Sequence, residues 1–146
     1  MISPAIDVVS TANRLRPALL RLARELRRET ESLGVTSRQA TLLALIQQHP
    51  GLSLRELAAH ERISPPSLSA HVDRLEAAGL IARVRSGSDR RRVGLELTGE
   101  GTHLVHAVRA RRTTWLAERL AELEPEQLEA LEQAIEPLET LLGGGA

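Results

Sequence analysis

The chain has no cysteine, no lysine, no phenylalanine and no tyrosine, and Trp115 is its lone large aromatic residue. Without cysteine there is neither a disulfide framework nor a thiol redox switch. Without aromatic rings a core must be built from Leu, Ala, Val and Ile, and such a composition favours helices over sheets. All 19 basic positions are Arg, which reads as a nucleotide-composition bias rather than a functional signal. Long apolar runs are also missing. The longest, residues 42–46, is far too short to span a bilayer. No basic-then-apolar signal pattern opens the chain, so a soluble cytoplasmic protein without a membrane partner is expected.

A net charge is missing as well: it is formally zero at pH 7, which argues against a simple polybasic binder. The charge is segregated, however. Residues 83–92 hold five Arg against Asp89, and residues 118–139 hold eight Glu against Arg119. Local sign decides what a surface attracts, so the average conceals a basic segment and an acidic one. The length of 146 residues suits one compact domain.

The hydrophobic pattern divides the chain into short helices and one hairpin. In the first segment, about residues 3–33, apolar residues fall at Val8, Ala12, Leu15, Leu19, Leu22 and Leu26. That heptad-like seam predicts helix pairing. Pro17 is expected to kink or break it, and Gly34 to stop it. Thr36 or Ser37 caps the next helix, which ends at Pro50-Gly51. Leu52 starts a very short strand. Ser53 caps a short helix, with Glu56 as its capping-box partner. After the turn 61–63, Ser64 caps a helix whose first residue is Pro65, with Ile63, Leu68, Val72 and Leu75 on its buried side. Gly79 ends it. Residues 80–85 alternate with Leu80, Ala82 and Val84 on the apolar face, and residues 91–97 with Val93, Leu95 and Leu97. The turn residues 86–89 join them into a hairpin with a basic tip. Thr98 caps a helix to about Leu123, and Pro125 opens the last one.

A short helix, a tight turn, a second helix and a hairpin form the winged helix-turn-helix plan. A helix fits the B-DNA major groove and a hairpin tip reaches the flanking minor groove. The candidate recognition helix presents Ser64, Pro66, Ser67, Ser69, Ala70, His71 and Arg74 off its buried stripe. Its N-terminus is expected to offer N–H groups to a phosphate. At the hairpin, Arg90, Arg91 and Arg92 suit a narrow, electronegative minor groove. The fold class that follows is mainly α with a small β-hairpin wing. Its winged helix-turn-helix lobe spans residues 36–98, and its helical dimerisation region spans 1–33 and 99–142.

The runs LSLRELAAHERISPPSLSAHVDRLEAAGLIARV and SDRRRVGLELTGEG together resemble the MarR family of transcriptional regulators. The resemblance implies a homodimer on double-stranded DNA, with two recognition helices facing the halves of a pseudo-palindrome. It makes Arg91 the wing residue that enters the minor groove. Asp89 becomes the acid of an Asp-x-Arg pair, and Asp73 the partner that orients Arg91. Pro66, Ser67 and Ala70 fall where similar proteins face bases. It also implies a small anionic or phenolic effector, for which Arg16 and His49 are the candidate contacts, and repression relieved by that ligand.

His103 and His106 stand at i, i+3 on one helix. With no cysteine and only Glu100 nearby, neither a metal site nor a cofactor is expected. No Ser/His/Asp ordering, phosphate-cradling Gly loop or paired carboxylates indicate an enzyme. The standing alternatives are a constitutive or architectural DNA-binding winged-helix protein without an effector, and a winged helix used only for protein contacts.

Overall fold

The computed structural model describes residues 5–85 and 91–143. Within them the order is α1 (Val8–Glu29), a 3-10 turn (Glu31–Leu33), α2 (Ser37–Gln48), α3 (Leu54–Glu61), α4 (Pro65–Ala77), β1 (Ile81–Arg85), β2 (Val93–Leu97), α5 (Gly99–Leu120) and α6 (Pro125–Leu141). The chain divides into two compact units, Met1–Arg112 and Thr113–Ala146.

The core of the first unit is aliphatic. Leu42, Leu43 and Ile46 of α2 meet Leu57 and Ala58 of α3, Leu68, Val72 and Leu75 of α4, Ile81 of β1, Leu95 of β2 and Val105 of α5. Each fully buried Leu or Ile contributes roughly 1.5–3 kcal/mol relative to exposure, so this cluster dominates the stability of the unit. The helix starts are set by local chemistry. Thr36 and Gln39 form a reciprocal capping box on α2. Ser53 and Ser64 cap α3 and α4 through their hydroxyls. Gly34 closes the segment after α1 at φ 82°, the left-handed conformation that glycine adopts at no steric cost.

Three expectations are corrected. The first concerns Pro17, which neither breaks nor divides α1: the helix runs through it from Val8 to Glu29. A proline removes one ladder bond, and 22 residues of helix tolerate that single loss. The second concerns β1, where the inward residue is Ile81, whereas Val84 is 40% exposed. Ile81 pairs with Leu97 and Arg83 with buried Leu95, so Arg83 falls on the same face of the hairpin as the core residues. The third concerns Ser53, which receives the Glu56 N–H while the Glu56 carboxylate turns to Arg92; the second half of the expected box is not made.

Two glycines let backbones approach. A Cβ on Gly94 would lie 2.5 Å from the Gly51 carbonyl oxygen, and one on Gly101 would lie 2.0 Å from that of Leu80. At the second place Thr98 ties the exit of the hairpin to α5. Its hydroxyl donates to Gly79 O at 2.6 Å and accepts from Gly101 N at 3.0 Å. Near the end of α1, Arg112 Nη2 of α5 donates to the buried Thr30 hydroxyl at 3.1 Å. Burial, then the neighbouring Arg27 charge, lowers the Arg112 pKa from its ordinary value.

Helices α1 and α6 contain no buried residue. Leu15, Leu19, Leu20 and Leu22 are exposed on the first, and Leu128, Leu131 and Ile135 on the second.

Gly101→Ala is expected to lose about 1–3 kcal/mol in urea unfolding, because the methyl must displace backbone. Gly99→Ala meets nothing within 4 Å and is expected to stay within about 0.5 kcal/mol of wild type or above it. Equal stability of the two variants would show that the close approach at Leu80 is not required.

Candidate nucleic-acid interface

Helix α4 is anchored through Leu68, Val72 and Leu75 and turns the opposite side outward. Ser64, Pro66, Ser67, Ala70 and Arg74 are exposed, while Ser69 and His71 are half-buried. His71 lies three residues after Leu68, at the border of the buried stripe, and its Nδ1 is buried with no hydrogen-bond partner. It therefore stands at the edge of the outward face rather than at its centre.

The start of α4 differs from expectation in a way that matters for DNA. Pro65 and Pro66 carry no N–H, the Ser67 N–H is taken by Ser64 Oγ at 3.4 Å, and the Leu68 N–H by Ser64 O at 3.1 Å. None of the first four helical residues has a free backbone donor, so no backbone N–H there awaits a phosphate. What the helix start offers is hydroxyl groups. Ser64 Oγ donates to Ser67 Oγ at 3.0 Å, which leaves the Ser67 proton to be given outward. Such a donor suits a phosphate oxygen or a base acceptor.

The turn before α4 hinges on Arg62, whose φ of 53° is the left-handed conformation. Its N–H still finds the Ala58 carbonyl, and so does that of Ile63, at 3.2 Å. A non-glycine residue pays on the order of 1 kcal/mol for that geometry, and the buried Leu57 and Leu68 on either side hold it.

The hairpin is fixed to both helices of the motif by ion pairs. Arg83 Nη2 donates to Asp73 Oδ1 at 2.7 Å, and Arg83 Nε to Glu76 Oε2 at 3.2 Å. One guanidinium thus spans two carboxylates on α4 and joins β1 to the recognition helix. Asp73, expected beside Arg91, is engaged by Arg83. Arg92 Nη2 donates to Glu56 Oε1 at 2.6 Å, which joins the entry of β2 to α3. Arg91 is exposed just before that entry. Asp89 and Arg90 lie outside the described residues. Neither brace was evident in the sequence, because each partner is recognisable only once the hairpin is placed. The retrospective signal is Asp73 and Glu76 at i, i+3, a pair that invites a cation from a neighbouring element.

The two effector candidates have separate partners. Arg16 Nη1 donates to Asn13 Oδ1 one turn back, at 3.3 Å, and His49 stacks on His60. Neither lines the cleft of about 470 Å³ bounded by Arg27, Glu31, Gly34, Val35, Thr36 and Ser37, nor the one of about 320 Å³ bounded by Ala18, Arg21, Leu22, Arg24 and Glu25.

This arrangement, a hydroxyl-faced helix braced beside an arginine-bearing hairpin, defines a winged helix-turn-helix DNA-binding protein. The MarR family profile matches residues 35–93. An uncharacterised helix-turn-helix-type transcriptional regulator of Mycobacterium bovis is 33% identical over 84% of this chain and 86% of its own length. The transcriptional repressor MdtR of Bacillus subtilis is 35% identical over 71% of this chain and 67% of its own. Among solved structures, a putative transcriptional regulator of Pseudomonas aeruginosa is 32% identical with a TM-score of 0.80, over 98% of this chain and all of that one. The chain belongs to the MarR family and is a DNA-binding transcriptional regulator, a class distinct from enzymes. Among the described residues no helix is long and apolar enough to cross a membrane.

Removing the Glu56 charge is expected to release Arg92. Glu56→Gln should change stability by less than about 1 kcal/mol, since the pair is exposed, and should raise affinity for random duplex DNA at low salt. Filter binding across a salt series measures this. Unchanged affinity with an unchanged salt slope would mean that Arg92 stays clear of the phosphates.

Proposed function

We propose that the protein is a repressor that binds a pseudo-palindromic operator as a homodimer and is released by a small anionic or phenolic effector. The observation that carries the dimer is the state of α1 and α6. Both expose leucine stripes and bury nothing. Apolar stripes of that length on two helices imply a partner surface, and a second copy supplies a self-complementary one. The dimerisation region is accordingly assigned to residues 1–33 and 99–142, and the lobe 36–98 to DNA.

Each lobe then places α4 in a major groove, with Pro66, Ser67 and Ala70 toward the base edges, Arg74 toward the backbone, and His71 and Ser69 at the margin. Ser64 shapes the helix start. Arg91 enters the minor groove, with Arg92 at the entry of β2 behind it; Asp89 and Arg90, proposed to take part as well, lie outside the described residues. Repression is supported by the Bacillus subtilis relative, which is a transcriptional repressor. For the effector, Arg16 and His49 are the candidate contacts; Arg16 gives one donor to Asn13 and keeps the others of its guanidinium for an anion. The architectural alternative predicts no preference between operator and random duplex.

Leu15→Glu combined with Leu131→Glu should give a folded monomer by light scattering that no longer retains operator DNA. Full specific binding by that monomer would refute the dimer. Arg91→Ala should cost about 1–3 kcal/mol of operator affinity at fixed salt. An unaltered dissociation constant would remove Arg91 from the minor groove.

A further inference from the structure

Among the described residues two buried side-chain nitrogens have no hydrogen-bond partner, Arg112 Nε and His71 Nδ1. The first belongs to a guanidinium whose Nη2 is tied to Thr30. The second stands on α4, the helix assigned to DNA. His71 follows Leu68 by three residues and precedes Val72, and both of those are fully buried. A leucine at this half-buried place would simply extend the apolar stripe. Instead a polar ring holds one nitrogen away from water with nothing to bond. An unsatisfied buried polar atom costs stability, and each one in a native structure calls for a reason of its own.

The orphan atom decides the tautomer. A neutral imidazole carries one ring proton, on Nδ1 or on Nε2. A proton on Nδ1 would be a buried N–H without an acceptor, and such groups are rarer than buried acceptors with a lone pair to spare. The proton therefore sits on Nε2, which is accessible and makes no hydrogen bond among the described residues. We propose that His71 is a specificity-determining residue of the DNA site, whose Nε2–H donates to N7 of a purine in the major groove, an assignment that rests on the proposed placement of α4 in that groove.

The rest of the helix face fits this role. His71 stands four residues after Ser67, so the two are neighbours on one side of α4. Ser67 Oγ accepts from Ser64 Oγ at 3.0 Å and gives its own proton outward. Two donors one turn apart select an edge rich in acceptors. In the major groove guanine offers N7 and O6 and adenine offers N7, whereas cytosine offers the N4 amino donor. An N–H aimed at that edge meets a purine and is opposed by cytosine. The ring is also held by its half-buried seat. A donor already fixed in direction loses little side-chain freedom on binding, so it discriminates where a long exposed side chain such as Arg74 adapts.

The test compares the full wild-type chain with His71→Leu and His71→Gln in selection of DNA from a random pool, with a thermal melt of each. Wild type is expected to enrich a purine at one position of each half-site. In His71→Leu the preference for that purine over cytosine should fall about fivefold or more. The same variant should melt at or above the wild-type Tm, because the orphan nitrogen leaves with the ring. His71→Gln, whose amide carries an N–H to a similar place, should recover most of the preference. Placing a 7-deazapurine at that position should weaken wild-type binding and leave His71→Leu binding unchanged. A motif shared unaltered by wild type and His71→Leu, a His71-dependent preference for a pyrimidine, or a 7-deaza effect that persists in His71→Leu would each overturn the assignment and leave operator recognition standing. A lowered Tm in His71→Leu, with no recovery of preference in His71→Gln, would make His71 a packing residue and overturn it as well. A wild-type pool with no enriched motif would overturn the operator reading and this assignment with it.

Discussion

The structure depends on how the hairpin is seated. Leu95 sits at the centre of that seat: its side chain is buried in the core, its N–H donates to Leu52 O at 2.8 Å, and its carbonyl accepts from Gly51 N at 3.0 Å. The fit requires Gly94, because any side chain there would strike Gly51. On the proposed reading, two DNA grooves are contacted together, which requires the recognition helix and the wing to keep one geometry. Leu95 supplies it by joining β2 to the segment that opens α3, while α3 packs on α4 through the same core. The braces from Arg83 and Arg92 act on top of that seat. They are exposed and individually worth under about 1 kcal/mol, so they orient side chains more than they hold the fold.

From this seat follows a division of labour in polar groups. The start of α4 has consumed its backbone donors through two prolines and the Ser64 cap. On the proposed reading, contact with DNA passes to side chains: the Ser67 hydroxyl, the small Ala70 surface, and the Arg residues of α4 and the hairpin. With a net charge of zero, the chain attracts a polyanion through the sign of local segments and not through its average. The Glu-rich final helix, carrying Glu126, Glu129, Glu132, Glu136 and Glu139, lies in the other compact unit.

Much of this was legible from residues alone. Helix starts at Thr36, Ser53, Ser64 and Thr98 were readable because a cap is a local interaction, and the hairpin because turn residues and alternation are local too. What escaped was tertiary. The alternation of β1 fits either face until a partner strand fixes the register, so Val84 was placed inward where Ile81 belongs. Glu56 had a local use as a cap partner, and a stronger charge-assisted bond to Arg92 from 36 positions away took it instead. The absence of free N–H groups on α4 could have been read directly from Pro65-Pro66. The contact between His49 and His60 needed the packing of α2 against α3, which no spacing rule encodes.

The most direct measurement is selection of DNA from a random pool by the purified protein, with the bound sequences aligned. Recovery of a pseudo-palindrome with half-sites centred about one helical turn, roughly 10 base pairs, apart is expected if paired lobes read successive major grooves. A single unpaired half-site, or a pool with no enriched motif, would contradict paired, sequence-specific recognition by this lobe.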